Sequence, residues 1–188
     1  MPLHRLVSDF LIYLTVDRGF SPFTIRDYEH YMWRFVDWAD QKGQVMETEQ
    51  INTDTVREYR LFLARFEDRK GRPLKRTTQG YHLVALRMFL RYLAVNRNMD
   101  VMPPDRIDLP KQEARSVKFL STDEVERLLD GPETAADGDD GLRALRDRAI
   151  LETLFSTGVR VSELVALNRD NLDFGMGALP VSPSTAIR

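Results

Sequence analysis

FSTGVRVSEL, residues 155–164, interrupts an apolar helical stretch with Gly158 and resumes with an arginine and, three residues on, a glutamate. Gly158 permits a sharp turn, because glycine enters left-handed backbone without a steric penalty. Arg160 then stands near the start of a short helix carrying Val161, Leu164 and Val165. Residues three apart share a helix face, so Glu163 lies beside Arg160 and could orient it. A planar, permanently charged guanidinium can donate two hydrogen bonds to the nonbridging oxygens of a phosphodiester under attack. An ordinary surface ion pair after a glycine stop uses the same spacing, and spacing alone does not separate the two.

Working outward, residues 142–156 read as a helix with Leu145, Ile150, Leu154 and Phe155 at its apolar positions. Before it lies a polar loop, PETAADGDDG (132–141), whose acids miss the calcium-loop spacing because Gly141 stands where a third ligand belongs. Ser121-Thr122-Asp123-Glu124 is a capping box, and Leu120 and Val125 fit the hydrophobic staple around it. Val125, Leu128 and Leu129 are expected to face inward, with Gly131 ending that helix. Downstream, LNRDNLDF (167–174) reads as a turn leading into a strand, and the last fourteen residues, GMGALPVSPSTAIR, show no period.

The first half of the chain reads as four helices. Leu3, Leu6, Val7, Phe10, Leu11 and Leu14 paint one apolar stripe, which Gly19 ends. Ser21 and Pro22 are a helix start: serine caps and proline suits the first helical position. The helix that follows carries Ile25, Tyr28, Met32, Phe35 and Ala39 on one face and closes at Gly43. A third helix begins near Thr53 and buries Val56, Tyr59, Leu63 and Phe66. After the loop DRKGRPLKRTT, Thr77 or Thr78 is expected to cap a fourth, with Leu83, Leu86, Leu90 and Leu93 inward and Arg87 and Arg91 sharing another face. MPPDRIDLPK then holds three prolines between Pro103 and Pro110, and residues 102–117 read as a largely extended linker.

Apolar residues make up 43 % of the chain, enough for a packed core in one large domain or two small ones. The absence of cysteine excludes disulfides and thiolate metal sites and fits a reducing cytosol, so a cytoplasmic location is expected. His4, Arg5, Ser8 and Asp9 break the N-terminal apolar run, so it does not read as a signal peptide, and no stretch approaches a membrane span. The net charge of −2 hides an asymmetry. Arg69, Lys70, Arg72, Lys75, Arg76, Arg87, Arg91 and Arg97 form a run without a single acid from 69 to 99, while acids cluster from Glu133 to Asp140. Such a run marks an anion-binding surface, or a solvated helix face whose acids come from other segments. Helix N-termini and guanidinium groups both bind phosphate. His4, His30 and His82 are scattered and read as surface or satisfied core residues, and no metal or cofactor motif occurs, so none is expected.

STGVRVSELVALNRDNLDF (156–174) closely resembles the first conserved box of the tyrosine recombinases, also called phage integrases. GFSPFTIRDYEHYMWRFVDWA (19–39) resembles the first DNA-contacting helix of the Xer-type N-terminal domain, and RTTQGYHLVALRMFLRYL (76–93) its last long helix. LPKQEARSVKFLSTDEVERLL (109–129) looks like the junction into the catalytic domain. The resemblance implies a mainly α chain: a four-helix, SAM-like core-binding domain over 1–101, a linker over 102–117, and the N-terminal part of an α+β catalytic domain over 118–188. It implies a clamp around double-stranded DNA and strand exchange through a 3′-phosphotyrosyl link, without metal or ATP. Arg160 matches the first catalytic arginine and Glu163 the acid of the same box. Thr24 and Arg26 lie on the first DNA helix, Lys70, Lys75 and Arg76 are expected to hold phosphates beside the hydroxyls of Thr77 and Thr78, and Arg87 and Arg91 are candidates for base edges.

The family also places a lysine on a β-hairpin, a His-x-x-Arg box, a further His or Trp and the nucleophilic tyrosine after the first box. No Lys, His, Trp or Tyr follows Lys118 here, and all six tyrosines lie between Tyr13 and Tyr92. The expectation is therefore a truncated recombinase that binds DNA without cutting it, with impaired tetramer assembly and apolar faces on 118–174 short of their usual cover. The competing readings are a small protein that occupies recombination sites and inhibits full-length recombinase protomers, and a helical protein-interaction module whose basic run is neutralised by nearby acids.

Overall fold

Helical periodicity, capping and one aromatic core account for the first hundred residues of the computed structural model, which describes residues 1–42, 47–68, 70–110, 118–134 and 141–168. The chain divides into two compact units, Met1–Ala114 and Arg115–Arg188. In the first, α1 (Leu3–Val16) buries Leu3, Leu6, Val7, Phe10 and Leu14, as its stripe predicts. Gly19 takes φ +60° and turns the chain, and the Phe20 N–H donates back to the Leu14 carbonyl at 3.1 Å. Ser21 caps α2 (Pro22–Asp40) by accepting the Thr24 N–H, with Pro22 in the first turn. Asn52 caps α3 (Thr53–Arg65), accepting from the N–H groups of Asp54 and Thr55 at 3.0 Å each.

The last helix of this unit, α4 (Arg76–Asn96), starts earlier than its hydroxyls suggest. Lys75 occupies the cap position and offers no side-chain bond, so Thr77 and Thr78 lie inside the first turn and neither is the cap. The Gln79 side chain reaches back instead, donating to the Leu74 carbonyl at 2.8 Å. α4 packs against α1, α2 and α3. Phe10, Phe35, Tyr59 and Phe89 are fully buried where they meet, and their rings interlock edge-on: Phe10 with Phe89 at 5.5 Å and Phe35 with Tyr59 at 4.9 Å between centroids. Each such side chain contributes about 1.5–3 kcal/mol by leaving water.

The described part of the linker is packed rather than extended. Pro104–Arg106 form a 3₁₀ turn, and Ile107 behind it is completely buried. Arg87 pairs with Asp105, and the Arg60 guanidinium donates to the Asp108 carbonyl. Pro110 lies so close over Gly80 that a Cβ there would meet its Cγ at 3.2 Å. One apolar side chain and two cationic contacts thus strap residues 101–110 to the helices before them. Residues 111–117 lie outside the described residues.

The second unit is built, among the described residues, from α5 (Thr122–Thr134), α6 (Gly141–Thr157) and α7 (Val161–Val165). The capping box forms: the Ser121 N–H donates to Glu124 Oε2 at 2.8 Å, and the Glu124 N–H returns to Ser121 Oγ at 3.4 Å. Gly131 does not end α5, which continues through Pro132; Gly131 is not in the left-handed conformation that would stop a helix. α5 packs on α6 and α6 on α7, yet Leu128, Leu145, Ile150 and Phe155 stay exposed and Ala144 alone is buried among the described residues. Leu128 therefore does not face inward as its spacing predicts. Among the described residues the chain has helices and a single isolated bridge, Glu67 to Pro73. Gly43, the loop residues 135–140 and, from 169 onward, the expected strand and the final residues lie outside the described residues.

Candidate nucleic-acid interface

The basic run divides into cations that are already paired and cations that are not. Asp68 organises the loop between α3 and α4. Its carboxylate accepts the N–H groups of Lys70 at 2.8 Å and Arg72 at 3.0 Å, and Arg72 Nε at 2.8 Å. The backbone N–H of Arg72, then its side chain, holds the Asp68 carboxyl below its ordinary range. Gly71 at φ +68° closes the turn. Arg72 is thereby consumed, as are Arg87 by Asp105 and Arg97 by Asp9 at 3.4 Å. The hydrogen bond from Arg87 also keeps the Asp105 carboxyl below its ordinary range. Lys70, Lys75, Arg76 and Arg91 make no ion pair with any described residue. Arg69 lies outside the described residues.

Lys70, Lys75 and Arg76 follow one another through the loop and into the first turn of α4, where Thr77 and Thr78 add hydroxyls beside uncapped backbone N–H groups. Helix N-terminal N–H groups and cations together favour a phosphate. At the start of α2, Thr24 shares a 3.0 Å hydrogen bond with Ser21, and the exposed Arg26 lies 5.3 Å from the Phe23 ring and 3.3 Å from Asp27. Arg91 is exposed one turn beyond Arg87, and these two share a helix face but not a state: Arg87 is bonded to Asp105, whereas Arg91 acts on that carboxylate only through space.

A polar cluster inside this unit escaped the sequence reading. Arg34 on α2 places Nη1 3.2 Å from His82 Nε2, and His82 Nδ1 lies 3.2 Å from the Tyr59 hydroxyl. His82 is 1 % exposed. Burial first, and the charges of Arg34 and His30 after it, push its pKa down to about 4, so the ring is neutral. Arginine only donates, so Nε2 accepts and Nδ1 carries the proton offered to Tyr59. Burial also pushes up the hydroxyls of Tyr28, Tyr31, Tyr59 and Tyr92, the direction opposite to that an attacking phenolate needs.

In the second unit Gly158 takes φ +66° and aims the chain into α7. Arg160 is the cap residue. Its N–H donates to Glu163 Oε2 at 2.8 Å and its Nη1 to Oε1 at 2.9 Å. The Glu163 side chain is 8 % exposed and that of Arg160 is 79 % exposed. The backbone N–H of Arg160, then its side chain, holds the Glu163 carboxyl below its ordinary range. A tethered carboxylate thus fixes one edge of a guanidinium that is otherwise exposed. Within the described residues there is no cluster of metal-ligating side chains, and no helix is long and apolar enough to cross a membrane.

Two family models match the chain in the order of its units. "Phage integrase, N-terminal SAM-like domain" covers residues 7–96 and "Phage integrase family" covers 118–186. Tyrosine recombinase XerD of Listeria monocytogenes is 34 % identical over 175 residues, 93 % of this chain and 55 % of that protein. Tyrosine recombinase XerC of Pelotomaculum thermopropionicum is 33 % identical over 181 residues, covering 96 % and 56 %. XerC of Escherichia coli O139:H28 is 33 % identical, covering 93 % and 54 %. The crystal structure of XerA recombinase aligns with a TM-score of 0.41 at 27 % identity, over 90 % of this chain and 52 % of that one. The chain spans about half the length of the relatives it matches.

Proposed function

The chain belongs to the phage integrase family of tyrosine recombinases, and from that premise we propose that its first unit grips duplex DNA for site-specific recombination while these 188 residues, alone, leave the strands uncut. The observation that carries the reading is the sorting of the basic run. Lys70, Lys75, Arg76 and Arg91 make no direct ion pair, on a loop and helix face where acids hold their neighbours, although Asp105 feels the charge of Arg91 as well as that of Arg87. Uncompensated cations on a polyanion displace condensed counterions, and that release supplies most of the affinity.

In this reading Lys70, Lys75, Arg76, Thr77 and Thr78 hold phosphates, with Thr24 and Arg26 on α2 as a second contact point. Arg91 is the better placed of the two α4 arginines, because Arg87 must first leave Asp105. Arg160 would take the scissile phosphate, with Glu163 as its positioning residue. Charge gathers on the nonbridging oxygens as the phosphate is attacked, and a pre-oriented guanidinium stabilises it without reorganising. No tyrosine follows that box in the sequence, and burial shifts Tyr28, Tyr31, Tyr59 and Tyr92 of the first unit away from ionisation. Binding without cleavage is the consequence.

A nicked, labelled duplex incubated with the chain tests both halves. The expected result is a retarded complex that dissolves in detergent. A detergent-resistant adduct that survives boiling would overturn the uncut-strand half, and no retarded complex from folded protein would overturn the DNA-binding half.

One observation favours a second reading, in which the chain occupies recombination sites alongside full-length recombinase protomers. Phe119, Leu142, Phe155 and Val165 are strongly exposed on the second unit, a surface that suits a protein partner. Adding the chain to a recombination reaction run by a full-length Xer-type enzyme would then slow it, and Phe155→Ser/Val165→Ser would relieve the effect.

A further inference from the structure

Arg34 is held in place by neutral groups alone. Its Nη1 lies 3.2 Å from His82 Nε2, and its guanidinium carbon sits 4.2 Å from the centre of the Phe66 ring. No carboxylate of a described residue pairs with it. Its support is anchored from behind, because His82 is fully buried and bonded to the equally buried Tyr59 at 3.2 Å. Fixing a half-buried cation without neutralising it forgoes the compensation that a carboxylate would give. It leaves the charge and the remaining N–H donors to an anion from outside.

The position of Phe66 says where that anion arrives. Phe66 stands at the root of the hairpin that carries Lys70 and leads to Lys75 and Arg76, with the Leu74 N–H donating to its carbonyl at 3.4 Å. The same root carries the Glu67–Pro73 bridge. Arg34 therefore adds a fixed cation at the base of the loop whose lysines lack counter-ions. We propose that Arg34 is a phosphate-binding residue of the DNA surface of the first unit, and that His82, backed by Tyr59, positions it. This rests on the reading of that unit as DNA-binding.

The test is binding of the 188-residue chain to labelled duplex DNA across a salt series. Arg34→Met keeps a stem over Phe66 and removes the charge. It is expected to weaken binding about tenfold at low salt, the worth of one charge-assisted bond, and to flatten the slope of log K against log salt by about 0.9, one phosphate contact. Arg97→Met changes net charge equally but removes an arginine committed to Asp9, and is expected to leave the slope unchanged. Arg34→Lys is expected to keep the slope and lose affinity, because an ammonium does not stack as a planar fork does. His82→Leu removes the acceptor and should weaken binding, His82→Gln should restore it, and His82→Leu should add nothing in an Arg34→Met background.

Wild-type binding with an unchanged slope in Arg34→Met would reduce Arg34 to a packing residue and overturn the proposal while leaving the DNA reading intact. Failure of folded wild-type chain to bind would overturn both. If His82→Leu does not fold, Arg34→Met and Arg34→Lys decide the matter.

Discussion

Acid should unfold the first unit through one residue before it touches the carboxylates. His82 has an ordinary pKa of 6.5 and a folded value of about 4. A lowered pKa means that the unfolded chain binds the proton more tightly. The stability is therefore complete above pH 6.5 and drains away as pH falls from there towards 4. Each pH unit within that window costs about 1.4 kcal/mol, so the full loss is about 3 kcal/mol. That is a large share of a small domain's total stability. His30 is lowered for the same reasons, burial and Arg34, and adds to the loss with the same sign. Asp68, Asp105, Glu124 and Glu163 are lowered from carboxylate values, so their contributions fade only at more acid pH. Urea titrations at pH 7, 6 and 5, followed by tryptophan fluorescence, isolate the effect, because both tryptophans, Trp33 and Trp38, lie on α2. The unfolding free energy should fall across the series, and His82→Gln should be much flatter. Equal stability at pH 7 and pH 5 in the wild type, or an undiminished slope in His82→Gln, would refute the neutral, buried histidine.

Ile107→Ala should destabilise the first unit by about 2–4 kcal/mol in the same urea assay, because the strap is anchored by that fully buried side chain. Gly158→Ala forces a side chain into φ +66° and should cost about 1 kcal/mol, read as a lower melting temperature of the second unit by circular dichroism. Ser121→Ala removes half of the capping box and should cost about 1 kcal/mol, read as faster amide exchange in the first turn of α5.

Local chemistry was legible in the sequence, and long-range pairing was not. The stripes of α1 to α4, apart from Phe66, which falls past the end of α3 and is only partly buried, the Ser21-Pro22 start and the Ser121–Glu124 box were readable because each needs only neighbours within a turn or two. Arg160 and Glu163 meet as their spacing says, for the same reason. Thr77 and Thr78 misled because a hydroxyl can cap but need not: α4 begins one residue before them, with Lys75 at the cap position offering no side-chain acceptor. Gly131 misled because glycine ends a helix only where the backbone turns left-handed, and here it does not. Ile107 is a single apolar residue among prolines, with no period to show that it packs. Arg87 finds Asp105 eighteen residues away and Arg34 finds His82 forty-eight away, so no window along the chain could sort paired cations from unpaired ones.

The central claim is that the unpaired cations of the hairpin and α4 hold DNA phosphates, and a salt series on labelled duplex tests it most directly. Wild-type affinity should fall steeply with salt, and Lys75→Ala/Arg76→Ala should flatten the slope by about 1.8, two phosphate contacts, while Arg87→Ala, whose cation is engaged by Asp105, should change it far less. A slope that is unchanged in Lys75→Ala/Arg76→Ala, or that responds to Arg87→Ala alone, would contradict the account.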